Sequence, residues 1–176
     1  PAGTAKVELL SSPNASIVSG PSGPAGTFET IALSSTTNPQ PAFNKQLHAL
    51  QAWSLGAAAA NAKEIVRGQL VAVARNATGA ILDATYVQAA GAIDDLYAAA
   101  AYDKKLGVSY TSGVPSLAVW APTALKNPGV SVNVYDADGA KLETKAMTLD
   151  EASGIWSVTG SADWNRKFYT ISLRVY

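Results

Sequence analysis

The apolar residues of this chain change their spacing near Gly107, and this change constrains the fold more than any other feature. Between Ala92 and Asp103, apolar side chains recur every three or four residues, which indicates one buried face of a helix. Beyond Gly107, apolar and polar residues alternate, which indicates strands with one buried face. The sequence therefore predicts a helix over 92–103, followed by a domain made of strands.

The C-terminal segment predicts a β-sandwich. Apolar–polar alternation occurs in short stretches with turn residues between them, at 130–135, 141–147, 155–159 and 169–175. Several short strands at such spacing are typical of two packed antiparallel sheets. We expect residues 108–176 to form an immunoglobulin-like sandwich with no helix longer than two turns after residue 128.

The N-terminal segment also predicts a mainly β domain. Strands are expected at 6–10, 28–33, 69–75 and 81–88. The glycine- and proline-rich stretch 19–26 indicates a loop, and the unbroken apolar character of 69–75 indicates a strand buried on both faces. We thus expect a mainly β chain with a first β-sandwich at 1–91, a linking helix at 92–107 and a second sandwich at 108–176.

Composition excludes several functions. Thirteen basic and thirteen acidic residues are scattered singly, so no basic face is expected for nucleic acid. No apolar run is long enough to span a bilayer. The chain has no cysteine and one histidine, His48, so thiol chemistry is excluded, and we expect neither a metal site nor a cofactor.

The acidic residues that lie close together in sequence have structural explanations. Asp94 and Asp95 are neighbours on the predicted helix and point about 100° apart, so they cannot face each other across a substrate. We place them in the first helical turn, where negative charge is favourable. Asp136 and Asp138 have the spacing of a calcium loop but lack its later ligands, so a hairpin turn is expected.

Two motifs resemble bacterial type I pullulanases and limit dextrinases. The run Val119-Trp120-Ala121-Pro122-Thr123-Ala124 resembles the start of the β-sandwich module that precedes their catalytic barrel. The run at 90–101, Ala-Gly-Ala-Ile-Asp-Asp-Leu-Tyr-Ala-Ala-Ala-Ala, resembles the segment that joins two of their N-terminal domains. Similar residues recur at 152–157 and 168–169 in the order that the family shows.

The resemblance implies a non-catalytic N-terminal part of a starch-debranching enzyme, with the catalytic aspartate–glutamate–aspartate set in an absent barrel. The implied partners are that barrel and, as a second candidate, α-glucan; the implied location is extracellular or at a bacterial cell surface. We expect the second module, which resembles carbohydrate-binding family 48, to be truncated at its C-terminal end. Two alternatives remain open: a purely structural scaffold that binds no sugar, and an unrelated immunoglobulin-like interaction module.

Aromatic residues provide the candidate sugar-binding site. Pyranose rings stack on exposed aromatic faces, and polar side chains then orient them. Trp164 lies in the polar stretch 161–167, so we expect its ring to be at least half exposed, whereas Trp120 and Trp156 lie in alternating strands that favour a core position. The candidate carbohydrate-binding residues are Trp164, Tyr135, Trp156 and Lys145.

Overall fold

The computed structural model describes residues 1–39 and 46–176, and its fold is mainly β. Contacts within the chain divide it into a first unit, Pro1–Gln88, and a second unit, Ala89–Tyr176. The sequence predicts that the helix links two domains. In the structure the helix lies within the second unit.

The strands of the first unit are β1 Lys6–Ser12, β2 Val18–Gly20, β3 Gly23–Ala25, β4 Glu29–Ala32, β5 Ser34–Thr36, β6 Ala52–Ser54, β7 Gln69–Arg75 and β8 Ile81–Tyr86. Four of them form one antiparallel sheet in the order β4-β1-β7-β8. The hairpin β2–β3 and the antiparallel pair β5–β6 accompany this sheet. A 3-10 turn at Gly56–Asn61 and the one-turn helix α1, Ala62–Ile65, precede β7.

Both faces of this sheet are covered by apolar side chains. Leu9 packs on one face with Ile31 and Leu70, while the next residue, Leu10, packs on the other face with Val71. This alternation follows from the period of two in a strand, and it confirms that β7 is buried on both faces. The loop predicted at 19–26 is wrong in part, because β2 and β3 pair there as a small hairpin.

The second unit consists of α2 Ala90–Ala101, β9 Gly107–Thr111, β10 Val114–Trp120, β11 Ser131–Tyr135, β12 Lys141–Ala146, β13 Thr148–Asp150, β14 Ile155–Thr159 and β15 Phe168–Ser172. Its strands form two antiparallel sheets that pack against each other, in the orders β13-β14-β10-β9 and β12-β11-β15. A single 3-10 turn, Ala162–Trp164, is the longest helical segment after residue 128, as predicted.

The core of the second unit lies between its two sheets. Val132 and Val134 of β11 face Leu117 and Val158 of the other sheet, and Met147 packs with them. The polar residues that alternate with these side chains therefore lie on the outer faces of the sheets. The predicted alternation at 130–135 and 155–159 is thus confirmed, and it determines which side chains reach solvent.

Helix α2 packs through the predicted face. Tyr97 is buried, and Ile93, Leu96 and Ala100 are half-buried. A Cβ atom at Gly154 would lie 3.0 Å from Cδ1 of Tyr97, so the helix approaches the β14 region closely. One detail differs from expectation: the helix begins at Ala90, so Asp94 and Asp95 lie beyond its first turn.

Candidate functional site

Trp164 is buried, so the prediction that its ring is at least half exposed is wrong. Its side chain is 8% exposed and belongs to the core of the second unit. The indole Nε1 donates a hydrogen bond of 2.8 Å to Oε2 of Glu143. The polar stretch 161–167 folds into a 3-10 turn that directs the ring inward against Gly160 while its polar neighbours stay outside. Trp164 therefore presents no open face for a sugar.

Lys145 lies beside Trp164, but the contacts of this pair are structural. The Lys145 Nζ is 5.7 Å from the centre of the Trp164 ring, within cation–π range. The same ammonium group donates a hydrogen bond of 2.9 Å to the carbonyl of Thr159. Lys145 thus ties β12 to the last residue of β14, and Glu143 ties it to the 3-10 turn that follows. Two predicted site residues, Trp164 and Lys145, are therefore close together, but they hold parts of the fold in place.

Trp156 occupies the core position that its strand predicts. It is buried, and its indole Nε1 donates to the carbonyl of Ala121 at 3.1 Å. Trp120 lies at the end of β10, half-buried, and donates to the carbonyl of Ser153 at 2.9 Å. Burial removes Trp156 from the residues on which a sugar could stack.

Tyr135 is the predicted site residue with an accessible ring. It lies on the outer face of β11, because its neighbour Val134 points into the core. Phe168 of β15 is its direct cross-strand partner and is 65% exposed. Directly opposed residues on adjacent strands have Cβ atoms about 5 Å apart, so the two side chains start from neighbouring positions on this sheet.

Polar side chains continue this surface along the sheet. Asn133 accepts a hydrogen bond of 2.7 Å from the hydroxyl of Thr144, and its amide donates to the hydroxyl of Ser172 at 2.9 Å. The Tyr135 hydroxyl lies 3.4 Å from the hydroxyl of Thr170. We call this surface the outer platform; it comprises Asn133, Tyr135, Thr144, Phe168, Thr170 and Ser172.

A second apolar surface lies at the open edge of the sandwich, where β9 and β15 each end a sheet. Its cleft has exposed rings at its mouth and core side chains at its base. Tyr110 is 57% exposed, and Val108 and Tyr169 are also exposed. We call this surface the edge cleft; its lining includes Val108, Tyr110, Leu117, Trp164, Phe168 and Tyr169. Sequence reasoning missed it, because only the pairing of distant strands brings these residues together.

The acidic residues hold turns and strand pairs. Asp136 accepts backbone hydrogen bonds from Asp138 and Ala140, at 3.0 and 2.8 Å, which confirms the predicted hairpin turn. Hydrogen bonds from Lys6 and then Arg75 lower the pKa of Glu8. Hydrogen bonds from the Ser153 hydroxyl and the Ala152 amide lower the pKa of Asp150.

Residues 1–39 and 46–176, which the structure describes, contain neither a candidate metal site nor a candidate membrane-spanning helix. No group of three or more His, Cys, Asp or Glu side chains there could hold a metal ion. No helix there is long and apolar enough to cross a membrane.

The fold and the exposed aromatic surfaces define a chain of two β-sheet modules. Residues 1–95 match the family described as the Pullulanase N2 domain. The chain therefore belongs to this family, and it is an N-terminal part of a pullulanase.

Named relatives agree with this assignment. A pullulanase from Klebsiella pneumoniae is 41% identical over 117 residues, which are 66% of this chain and 10% of that protein. Pullulanase 1, chloroplastic, from Arabidopsis thaliana is 34% identical over 114 residues, 65% of this chain and 11% of that protein. The chain thus spans about a tenth of the length of these relatives.

Solved structures extend the similarity to the whole chain. The crystal structure of PulA from Klebsiella oxytoca matches with a TM-score of 0.86 and 33% identity, over 99% of this chain and 16% of that one. The Klebsiella pneumoniae pullulanase complexed with maltotriose matches with a TM-score of 0.86 and 32% identity, over the same shares. The mainly β fold is therefore that of the corresponding part of these enzymes.

Proposed function

We propose that this chain supports the catalytic part of a starch-debranching pullulanase, and that the second unit docks against that part through the edge cleft. The chain itself carries no glycosidase activity in this proposal. Hydrolysis of α-1,6-glucosidic bonds belongs to the remainder of the enzyme, since the chain covers only 16% of a solved pullulanase.

The observation that carries the proposal is the exposed apolar composition of the edge cleft. Val108, Tyr110, Phe168 and Tyr169 all border it, and all are exposed. Apolar residues scattered singly are ordinary on a protein surface, but contiguous ones mark interaction sites. Lys167 is the one charged residue in the described lining, so the surface suits the apolar face of another protein domain.

The cleft rests on a rigid base, which makes it suitable for docking. Trp164 and Leu117 line it and belong to the packed core of the second unit. A partner side chain entering the cleft would therefore meet ordered apolar atoms and would displace water from them. Burial of apolar surface contributes roughly 25 cal/mol per Å².

The test uses Tyr110→Ser in the isolated chain and in the full enzyme. Tyr110 is exposed in this chain, so the variant should unfold at the same temperature as the unmodified chain. In the full enzyme it should lower the unfolding temperature of the catalytic part, because docking contacts are lost. Tyr102→Ser, at an 88%-exposed tyrosine just after α2, is the matched control. An unchanged full-length enzyme would contradict docking through this cleft.

A second candidate function, α-glucan binding, is favoured by the outer platform. Tyr135 and Phe168 are aromatic cross-strand partners, and Asn133 lies on the same strand as Tyr135 and donates to a hydroxyl group of β15. Sugar recognition requires this combination of flat apolar faces and hydrogen-bonding groups. Trp164 has no part in the candidate because its ring is buried.

Titration with maltooligosaccharides tests the second candidate. Tyr135→Ala should weaken binding with little change in stability, whereas Tyr110→Ser should leave binding unchanged. Equal affinities for Tyr135→Ala and the unmodified chain would remove the outer platform as a binding surface. The docking proposal would stand unaffected, since Tyr135 does not line the edge cleft.

A further inference from the structure

The first unit contains a cleft that neither function above uses. It lies between the β2–β3 hairpin and β8, which ends the four-stranded sheet. Its volume is about 170 Å³, more than ten times the roughly 10–15 Å³ that one water molecule needs. We call it the hairpin cleft, and its main lining residues are Val18, Ser19, Pro24, Val71, Ala84 and Tyr86.

Strand register places an aromatic ring on the inner wall of this cleft. Tyr86 pairs with Val71, and Ala84 pairs with Val73. Paired residues share a face of the sheet, and Val71 and Val73 belong to the core cluster that also contains Ile17, next to the hairpin. Tyr86 therefore lies on the hairpin side of β8 and is 68% exposed.

A glycine sets how closely the hairpin approaches β8. Gly23 has φ +116°, a value that favours glycine, and a Cβ atom there would lie 2.4 Å from Cδ1 of Ile81. A side chain at this position would thus be strained by its backbone conformation and would require Ile81 to shift. Val18 and Pro24 of the hairpin line the cleft opposite Ala84 and Tyr86 of β8.

Backbone groups add polar character beside the ring. The amide of Val87 donates to the carbonyl of Leu70 at 3.1 Å. This bond determines which residue pairs of β7 and β8 are hydrogen-bonded and which are not. In an antiparallel ladder the adjacent residue, Tyr86, then directs its amide and carbonyl away from β7. The amide of Ala84 follows this pattern, because it donates to the Asp83 carboxylate instead of β7. The peptide groups of Tyr86, a lining residue, therefore point outward from the edge of the sheet.

The lining selects the chemical class of the ligand. Among the described residues, no charged side chain lines the cleft, so an ionic ligand would lose hydration without gaining a partner. The lining instead combines an aromatic ring, aliphatic side chains, small hydroxyl groups and peptide groups. An uncharged ring with apolar C–H faces and hydroxyl edges complements this set.

We propose that the hairpin cleft binds one hexopyranose unit of a neutral oligosaccharide, stacked on the ring of Tyr86. The ring supplies the apolar contact. Hydroxyl groups at the edge of the sugar reach Ser19 and the peptide groups of β8. The site is independent of the outer platform, which lies in the second unit.

The experiment is an NMR titration of the 176-residue chain with maltose. We expect the amide signals of Val18, Ala84 and Tyr86 to shift in a saturable manner. Tyr86→Ala should weaken this binding about two- to tenfold, as the loss of one aromatic contact implies. Tyr86→Phe keeps the ring and should retain most of the affinity. Tyr102→Ala, at an exposed tyrosine outside the cleft, should bind like the unmodified chain.

Two further variants make the result decisive. Ala84→Leu should fill the cleft and abolish the shifts at Val18 and Tyr86, because Ala84 is exposed and its enlargement does not disturb the core. Tyr135→Ala, in the outer platform, should leave those shifts intact. Equal maltose affinity in the unmodified chain, Tyr86→Ala and Ala84→Leu would overturn the proposal. So would binding of the apolar dye ANS at the cleft with no response to maltose, which would indicate a protein-docking groove.

Discussion

Replacing Trp164 with alanine should destabilise the second unit severely. The ring is 8% exposed, and its indole nitrogen donates a hydrogen bond to Glu143. Truncation of a buried tryptophan typically costs about 3–5 kcal/mol. Proteins have roughly 0.05–0.15 kcal/mol of stability per residue, so the 88 residues of this unit provide about 4–13 kcal/mol. The variant should lose a large part of that stability.

Urea unfolding followed by circular dichroism measures the effect. With a slope of about 1–3 kcal/mol per molar urea, the midpoint of the second unit should fall by about 1 M or more. Trp164→Phe keeps part of the apolar packing and removes the hydrogen bond to the Glu143 carboxylate, which should cost about 1.5–3 kcal/mol. Trp120→Ala, at a half-buried ring, should cost less than Trp164→Ala.

One result would refute this reasoning. A Trp164→Ala chain that unfolds within about 1 kcal/mol of the unmodified chain would show that the ring does not support the core. If the same variant also lost binding to maltooligosaccharides, Trp164 would be a sugar-stacking residue after all. Glu143→Gln then separates the two cases, because it alters the hydrogen bond and leaves the ring in place.

Gly160, Glu8 and the edge cleft each lead to one further prediction. Gly160→Ala should destabilise by about 1–3 kcal/mol, measured in urea, because its Cβ would lie 2.4 Å from Cε3 of Trp164. The lowered pKa of Glu8 should stabilise the first unit above its unfolded pKa of about 4.5, and that contribution should disappear as pH falls through the lower folded pKa. Glu8→Gln should therefore flatten the acid dependence of the urea midpoint. The isolated chain should self-associate through the edge cleft at high concentration; sedimentation should show this, and Tyr110→Ser should reduce it.

Sequence patterns were sufficient for elements whose structure is decided locally. The strand predicted at 69–75 has the same bounds in the structure. The helix at 90–101 buries Tyr97 as its periodicity indicates. Asp136 forms the hairpin turn that its position before Asp138-Gly139 predicts. In each case the deciding interactions lie within a few residues of one another.

The position of Trp164 shows why local polarity is a poor guide to burial. Its neighbours in 161–167 are polar and mostly exposed, as the sequence indicates. The ring is nevertheless buried, because Gly160 leaves room for it and Glu143 accepts its hydrogen bond from 21 residues away. Neither condition is visible in the turn itself.

The candidate surfaces depend on strand pairing, which single-strand patterns do not specify. Tyr135 and Phe168 are 33 residues apart, and they become neighbours only because β11 pairs with β15 in one particular register. A shift of that register by one residue would send Phe168 to the other face of the sheet. The same pairing places Phe168 on the outer platform and at the rim of the edge cleft. Docking and sugar binding would therefore compete for this side chain, and Tyr110 and Tyr135, which each belong to one surface, are the residues that can separate the two functions.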